Sequence, residues 1–153
     1  NNEMDDFSVK PGYPNLYGLV GGEANAIAPG KRMLSSMTPT ILEKNNSLFM
    51  VIGSPGGSTI ITSVFQNILN VIEFKMGMQE SVNSVRFHHQ WKPDKIFYEE
   101  GHIKENILIG LRTKGHNTFA RRPIGRVDAI LINEDGALEG GADPRGDDTK
   151  LSF

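Results

Sequence analysis

The strongest constraint on the fold is an apolar strand that ends in a glycine-rich turn and leads into a helix. This stretch covers residues 49–58 and has the sequence FMVIGSPGGS. An apolar run bounded by Gly and Pro is typical of a buried strand that stops at a turn. Ser58 is the predicted N-cap of a helix over about residues 59–76, which ends at Gly77. Its apolar residues recur at helical spacing, namely Ile60, Ile61, Val64, Phe65, Ile68, Leu69 and Ile72, while Thr59, Thr62, Gln66, Asn67 and Asn70 face elsewhere.

The turn places the amide N–H groups of Gly56 and Gly57 at the positive end of a helix dipole, where negative charge is stabilised. Such a position can hold a phosphate, a carboxylate or the oxyanion of an acyl-transfer intermediate, whereas the alternative is tight packing alone. A P-loop is excluded because its Lys and its spacing are missing. A nucleophile elbow is excluded because Ile52 occupies the position of its first glycine and Pro55 follows Ser54.

Composition narrows the class of protein. A chain of 153 residues fits one compact domain, and a net charge of −2 does not indicate a nucleic-acid or anionic-membrane partner. The sequence contains no apolar run of membrane-spanning length, and no signal peptide opens it. It also contains no cysteine, so disulfides are excluded. The chain begins at Asn1 rather than at Met, which we interpret as an internal cut.

The chain divides by composition near residue 40. Residues 1–39 are rich in Gly, Pro and Asn and predict a long ordered loop system. Residues 40–153 predict sheet and helix layers of the α+β class, beginning with a hairpin of Thr40–Glu43 and Leu48–Gly53 around Asn45 and Asn46. The other predicted elements are helices at 79–84 and 104–114 and extended segments at 86–91, 95–99, 116–121, 127–132 and 137–141.

Two polar clusters lie in the loop-rich part. Glu3, Asp5 and Asp6 gather carboxylates that can receive an ammonium group or a metal ion, although a solvated acidic loop is the simpler interpretation. Ser35 and Ser36 are adjacent hydroxyls that can bind a carboxylate, or can serve ordinary turn chemistry.

The remaining charged motifs predict structural roles. His88 and His89 point to opposite faces of an extended segment, so they cannot share one metal ion. Each of the four histidines is predicted to be a surface residue or to be satisfied by hydrogen bonds. Arg126 lies in a basic stretch that is predicted to be solvated or paired with the acidic tail, and Asp143-Pro144-Arg145 indicates a structural turn.

Five of these segments, taken together, resemble the small (beta) subunit of gamma-glutamyltranspeptidase, also called glutathione hydrolase. Each segment is weak evidence alone, but all five occur in the order of the family and cover nearly the whole chain. They are residues 1–7, 34–39, 53–58, 86–94 and 143–145. The chain is therefore identified as similar to the C-terminal part of that subunit.

The resemblance implies an N-terminal-nucleophile hydrolase with a four-layer αββα sandwich, made when a precursor cleaves itself into a large (alpha) and a small subunit. The sandwich would be incomplete here, because its N-terminal strands and the large subunit are absent from this chain. In the family, the nucleophile is the threonine that opens the small subunit, and this threonine would lie upstream of Asn1. The resemblance implies no metal and no organic cofactor.

The resemblance also assigns roles to individual residues. Gly56 and Gly57 resemble the oxyanion hole, and Glu3 and Asp6 resemble the residues that hold the alpha-amino group of the substrate. Bacterial relatives often have Gln in place of Glu3. The alpha-carboxylate would be bound by a serine pair, and a lid loop over residues 10–22 would cover the glutamyl site. The residues that match these two features are Ser35 and Ser36 for the pair and Tyr17 for the lid.

The implied reaction is cleavage of the gamma-glutamyl amide of glutathione, with transfer of the glutamyl group to water, an amino acid or a peptide. Two alternatives stay open: a related gamma-glutamyl or cephalosporin acylase, and a non-catalytic binding domain. The expected partners are gamma-glutamyl compounds and the large subunit. The expected location, taken from bacterial members of the family, is periplasmic or secreted.

Overall fold

The computed structural model describes residues 3–151, so Asn1 and Asn2 of the first motif lie outside the described residues. The elements in chain order are β1 (Thr40–Lys44), β2 (Ser47–Gly53), α1 (Ile60–Ile72), α2 (Met78–Asn83), β3 (Phe87–His88), β4 (Ile96–Glu99), α3 (Glu105–Thr113), β5 (Thr118–Arg121), β6 (Asp128–Ile132) and β7 (Leu138–Gly141). The predicted mixture of helices and strands is confirmed, and each predicted strand and helix has a counterpart. Within residues 3–151, the structure has no helix with the length and apolar character needed to cross a lipid bilayer.

Residues 3–39 form the predicted loop system. Its regular structure is limited to two single turns of 3-10 helix, Met4–Asp6 and Glu23–Asn25, and to two isolated bridges. The turns are tied together, because the Asn25 side-chain amide donates to the carbonyl of Asp6 (2.7 Å) and the amide of Ser8 donates to the carbonyl of Asn25 (2.9 Å). These bonds give an extended loop a defined path without a sheet or long helix.

The larger sheet has the strand order β1-β2-β6-β7, and all of its neighbours are antiparallel. Its core face carries Met50 and Ile52 of β2 opposite Leu131 and Ala129 of β6. α1 and α2 cover this face, and the buried residues that they contribute are Ile60, Val64, Val71, Met78 and Val82. This face is the main hydrophobic core.

The opposite face of the larger sheet is also apolar, and no element within residues 3–151 covers it. The register places Ile41, Val51 and Ile130 in one row across β1, β2 and β6. Their exposed fractions are 70%, 40% and 46%. An alternating strand that meets water on one face normally carries polar residues there, so this row has the composition of a second buried face.

The β1–β2 hairpin turns at Asn45 and Asn46, as predicted. Both residues adopt left-handed backbone, with φ of 54° and 62°. Successive left-handed residues are the signature of a tight hairpin turn that matches the twist of the strands, and Asn tolerates this conformation better than most residues.

The limits and the buried face of α1 differ from the prediction. Ser58 is not its N-cap, because residues 57–59 form a 3-10 turn and α1 begins at Ile60 without a side-chain cap. The helix ends at Ile72 rather than near residue 76, since the chain reaches a left-handed residue at Lys75 (φ 58°) before Gly77. Asn67 is buried rather than turned away from the core, because its side chain bonds the carbonyl of Ser63 (2.9 Å) and the hydroxyl of Ser81 (2.9 Å).

The smaller sheet has the order β3-β4-β5 and brings the second half of the chain against α1. β3 and β4 are antiparallel, whereas β4 and β5 are parallel and are connected through α3. The parallel pair needs this long crossover, since a tight turn can join antiparallel strands only.

A buried ionic network locks the smaller sheet to the C-terminal segment. Arg86, which is 1% exposed, donates to Asp143 (2.7 Å) and to the carbonyls of Val82 (2.9 Å) and Ile124 (3.0 Å). Arg145 forms a bidentate pair with Glu99 (2.5 and 2.6 Å). The segment 143–145 is therefore more than the structural turn that was predicted.

Candidate active site

The glycine turn has a backbone that only glycine adopts readily. Gly56 and Gly57 have φ of 139° and 57°, and a Cβ on Gly56 would lie 2.6 Å from the hydroxyl of Thr59. The carbonyl of Gly56 accepts hydrogen bonds from the amide (3.1 Å) and the hydroxyl (2.9 Å) of Thr59. These bonds hold the turn at the start of the helical segment.

The amide N–H groups of both glycines are available as donors. Within residues 3–151, we find no hydrogen bond donated by the amide of Gly56 or Gly57. The 3-10 turn runs on into α1, so the two amides lie at the N-terminal end of a helical segment. This is the geometry that stabilises an anion or a developing oxyanion.

Ser54 is engaged in holding the turn. Its hydroxyl donates to the carbonyl of Pro55 (2.7 Å) and accepts from the amide of Arg126 (3.1 Å). A hydroxyl that is committed to two backbone partners braces the loop. These bonds fit the support of the turn that was expected of Ser54, and its lack of a nucleophilic role stays a prediction.

Tyr17 lies directly against the glycine turn. A Cβ on Gly57 would lie 2.5 Å from two carbon atoms of the Tyr17 ring, so the ring occupies the space that a side chain would need. The loop that carries Tyr17 is anchored by Gln90, whose side-chain amide donates to the carbonyl of Tyr17 (2.8 Å). The predicted lid residue and the predicted oxyanion residue are therefore neighbours.

The acidic cluster and the serine pair also meet. The hydroxyl of Ser36 donates to the carboxylate of Asp6, although the two residues are 30 positions apart. Carboxylate oxygens of Glu3, Asp5 and Asp6 all lie within 4.8 Å of one another. The hydroxyl of Ser35 accepts from the amide of Met37 (3.4 Å). One region thus combines negative charge with hydroxyl donors, which suits a ligand that carries both an ammonium group and a carboxylate.

The structure therefore brings the predicted site residues together as two groups, one around Asp6 and Ser36 and the other around Tyr17 and Gly57. The chain connects them, since the loop that carries Tyr17 starts soon after Asp6. That loop is tied back by the bridge between Ser8 and Ala26. The prediction that both groups line one cavity stays a prediction.

A cleft of about 380 Å³ lies beside the glycine turn. Three parts of the chain line it: the loop of residues 10–22, which is the predicted lid, the turn itself, and the smaller sheet with the segment that follows β3. The lining residues are Leu16, Tyr17, Gly18, Gly56, Ser58, Thr59, His88, Gln90, Pro93, Phe97 and Arg121. Its volume is within the range of clefts that bind small molecules.

His88 connects the helix, the cleft and the lid. Its two ring nitrogens lie 2.8 Å from the hydroxyl of Thr62 and 2.8 Å from the side-chain oxygen of Gln90. Burial lowers the pKa of His88, and the neighbouring Arg121 and His89 also lower it, against the hydrogen bond with Gln90, which acts to raise it. The ring is therefore neutral at pH 7, with the Gln90-facing nitrogen as donor. The prediction that a histidine here is satisfied by hydrogen bonds is confirmed.

His88, Gln90 and Arg121 lie at the cleft but were absent from the predicted site. No spacing in the sequence signals them, because Gln90 is 73 positions from the lid residue that it holds. Arg126, in contrast, pairs with Asp147 (2.7 Å) and Asp148 of the acidic tail, as predicted.

Comparisons with known proteins place these features in a family. The family model described as gamma-glutamyltranspeptidase matches residues 1–153. The glutathione hydrolase proenzyme of Escherichia coli is 48% identical over 145 residues, which are 95% of this chain and 25% of that protein. The corresponding proenzyme of Pseudomonas aeruginosa is 44% identical over 149 residues, with 95% and 27% covered. The chain therefore spans about a quarter of the length of these curated relatives.

Solved structures agree with the sequence comparison. A mutant gamma-glutamyltranspeptidase of Helicobacter pylori superposes with a TM-score of 0.90 at 50% identity, covering 95% of this chain and 80% of that one. The cephalosporin acylase of Bacillus halodurans is more distant, with a TM-score of 0.75 at 26% identity over 82% of this chain and 24% of that chain. The match of the family model over residues 1–153, together with the identity to these relatives, shows that this chain belongs to the gamma-glutamyltranspeptidase family.

Proposed function

We propose that this chain is part of a gamma-glutamyl acyltransferase and hydrolase that acts on glutathione and other gamma-glutamyl compounds. The observation that carries the proposal is the contact between Asp6 and Ser36, because it joins an acidic cluster to a hydroxyl pair. The alpha-carbon of a gamma-glutamyl group bears both an ammonium and a carboxylate. Carboxylates beside hydroxyl donors are complementary to that pair of charges.

In this proposal, Glu3 and Asp6 bind the alpha-ammonium group, while Ser35 and Ser36 donate to the alpha-carboxylate. The hydroxyl of Ser36, which donates to Asp6 in this structure, turns its proton to the alpha-carboxylate when the ammonium group takes its place at Asp6. The gamma-carbonyl then lies at the glycine turn, and Tyr17 covers it from the lid side. The ring of Tyr17 against Gly57 supports this arrangement, because a closed lid excludes water from the reacting carbonyl.

The chemistry is acyl transfer through a covalent intermediate. A threonine hydroxyl, supplied by a segment outside this chain, attacks the gamma-amide carbon and passes its proton to a base such as its own alpha-amine. The carbonyl oxygen becomes an oxyanion, and the amides of Gly56 and Gly57 stabilise it. When the intermediate collapses, the C–N bond breaks and the leaving amine takes the proton. Water or an acceptor amine then attacks the glutamyl ester and releases the enzyme.

The four-layer αββα sandwich belongs to the same proposal. The row Ile41, Val51 and Ile130 forms an apolar sheet face that no element of residues 3–151 covers. A second sheet on this face would bury the row and complete the sandwich. We assign that sheet, and the large subunit that it belongs with, to parts of the enzyme outside this chain. The periplasmic or secreted location also stays a proposal, which cell fractionation of the native host would test.

The test of the glutamyl site uses Asp6→Ala in the full-length precursor. We expect kcat/KM for gamma-glutamyl-p-nitroanilide to fall about a hundredfold, since the substrate ammonium loses a charge-assisted partner. Glu134→Ala is the matched control, because Glu134 is a fully exposed carboxylate on the β6–β7 turn, with 98% of its side chain accessible. An unchanged kcat/KM in the Asp6 variant would remove Asp6 from the site.

A second measurement separates this function from the alternatives. A glutaryl amide differs from a gamma-glutamyl amide only by lacking the alpha-ammonium group. We expect the wild-type enzyme to prefer the gamma-glutamyl amide, and the Asp6 variant to lose most of that preference. Preference for the glutaryl amide would indicate an acylase of the cephalosporin type. If the precursor does not cleave itself and turns over neither amide, the chain is part of a non-catalytic domain.

A further inference from the structure

We infer that Arg121 binds the carboxylate of the leaving group, and of the acceptor that replaces it, in the cleft beside the glycine turn. The inference rests on the proposed gamma-glutamyl transfer and goes beyond it, because it concerns the other side of the scissile amide. Arg121 ends β5 and lines the cleft that Gly56 and Tyr17 also line.

The described lining of the cleft carries a single charged side chain, that of Arg121. No carboxylate of residues 3–151 lines it, and the other lining side chains are neutral, including His88 with its lowered pKa. Arg121 therefore supplies the net charge of the described lining. A cleft with one cation and no anion selects a ligand that is negatively charged at that point.

Among residues 3–151, the side chain of Arg121 contacts an aromatic ring rather than a carboxylate. In the described part of the chain, no carboxylate lies within ion-pair distance of its guanidinium, whereas Arg86, Arg112, Arg126 and Arg145 are all paired. Arg32 and Arg122 also have no ion pair among these residues, but neither lines the cleft. The side chain of Arg121 lies instead against the ring of Phe97, with the guanidinium carbon 5.7 Å from the ring centre. A cation at this distance from the face of an aromatic ring is attracted to the ring, and this contact uses none of the guanidinium N–H donors that can bind a carboxylate in a bidentate manner.

The cleft lies next to the position proposed for the reacting carbonyl. Gly56 belongs to both the glycine turn and the cleft wall, so a group that leaves from a carbonyl at the turn enters the cleft directly. A cysteinylglycine leaving group, and an amino acid or dipeptide acceptor, each carry a terminal carboxylate. The apolar walls at Leu16, Pro93 and Phe97 can contact the rest of such a molecule.

The experiment compares two anilides that differ by a single carboxylate, gamma-glutamyl-p-nitroanilide and gamma-glutamyl-3-carboxy-4-nitroanilide, in the mature full-length enzyme. The measured quantity is the ratio of their kcat/KM values. In Arg121→Gln we expect the preference for the carboxylated anilide to fall about tenfold, the size of one charge-assisted hydrogen-bonded pair. Arg121→Lys should restore part of it, because the charge remains while the planar fork is lost.

Arg122→Gln is the matched control, since it removes the same charge from the neighbouring residue, which is not part of the cleft lining. Its ratio should equal that of the wild type. A second readout is transfer to glycylglycine compared with glycylglycinamide, and Arg121→Gln should reduce the advantage of glycylglycine.

Each outcome decides one proposal. If the wild type hydrolyses neither anilide, the proposed gamma-glutamyl activity fails. If it hydrolyses both, and the ratio is the same in Arg121→Gln as in the wild type, the activity stands and the role of Arg121 is wrong. An equal change in Arg121→Gln and Arg122→Gln would also overturn it, because a general effect of surface charge would then be sufficient.

Discussion

At the scale of single residues, Gly57 is limited both by its backbone and by its neighbour. Its φ of 57° is left-handed, and the ring of Tyr17 occupies the space of a Cβ. The first constraint costs a residue other than glycine about 1 kcal/mol, and the second requires the lid to move. The two effects are separable, because some left-handed glycines of the chain, such as Gly101, have no atom within 4 Å of a Cβ.

We therefore expect Gly57→Ala to reduce kcat of gamma-glutamyl hydrolysis by about a hundredfold, as when an oxyanion donor is misplaced. Gly101→Ala is the control, since Gly101 has a φ of 79° but no atom within 4 Å of a Cβ. Steady-state kinetics of both variants provides the test. Equal, small losses would show that the Tyr17 contact does not position the turn.

At the scale of elements, the loop of residues 10–22, the predicted lid, is held by the segment that follows β3. Gln90 accepts from His88 and donates to the carbonyls of Tyr17 (2.8 Å) and Lys92 (3.0 Å), so one side chain joins a buried histidine to the lid. In Gln90→Ala, we expect hydrogen exchange of the amides in residues 10–22 to accelerate and KM to rise several-fold.

Gln79→Ala is a matched control for this prediction. Gln79 also bonds across the chain, to the carbonyl of Ala142 (2.8 Å), but on α2. Exchange in residues 10–22 should match the wild type in this variant. Wild-type exchange rates in Gln90→Ala would mean that other contacts hold the lid.

The buried ionic network around Asp143 is a second feature at the scale of elements. Asp143 is fully buried and accepts from Arg86 (2.7 Å), from the amide of Val127 (2.6 Å) and from Arg145 (3.1 Å). Removing one partner leaves buried charge without compensation. We expect Asp143→Ala to lower the free energy of unfolding by about 3–5 kcal/mol.

Urea denaturation of the full-length enzyme, followed by fluorescence, measures this change. Glu105→Ala is the comparison, because it breaks the exposed pair of Glu105 with Arg112 (2.9 Å) and should cost less than about 1 kcal/mol. If both variants lose the same stability, the network contributes no more than a surface ion pair.

At the scale of the whole molecule, the network makes stability depend on pH. Burial acts to raise the pKa of Glu99, but hydrogen bonds from Arg145, Ile124 and Arg86 outweigh it, so the pKa is lowered. The pKa of Asp143 is likewise lowered, since hydrogen bonds from Val127 and its arginine partners exceed the effect of burial. As pH falls, the unfolded chain therefore takes up protons before the folded protein does.

The stabilisation from both carboxylates is present above the ordinary carboxyl pKa of about 4 and is lost as pH falls through the lower folded values. We expect a small decrease in the melting temperature as pH falls below about 6.5, where the unfolded chain protonates His88 before the folded protein does, and a steeper decrease below about pH 4 from the two carboxylates. Glu99→Gln should be less stable at pH 7 and should show a weaker decrease. A wild-type melting temperature that is unchanged at about pH 3 would contradict this.

Local patterns predicted the elements because their causes are local. Alternation of apolar residues, the two asparagines at the hairpin and the glycines after β2 each act within a few residues. The errors were local as well. The helix was extended past Ile72 because Lys75, which adopts left-handed backbone, gives no sequence signal, and Asn67 was placed on the wrong face because polar residues usually face water.

The sequence likewise predicted only part of the candidate site. Its glycines, serines and carboxylates were recognisable as motifs, since a glycine turn or a paired hydroxyl is a short segment. The contact between Asp6 and Ser36 joins residues far apart in the chain, and so does the cleft that adds Gln90 and Arg121 to the site. No pattern in one sequence reports such distances.

From its residues alone, this protein has an identifiable strand–turn–helix, a loop-rich beginning and the motifs of its family, because short-range sterics and solvent exposure control all three. Three-dimensional packing decided which side chains meet. It places the ring of Tyr17 against Gly57 and bonds the neutral ring of His88 to Gln90. It also places Arg121 in the cleft without a carboxylate partner among residues 3–151. Those contacts depend on how two sheets and a loop pack together, which is a property of the folded chain rather than of any segment.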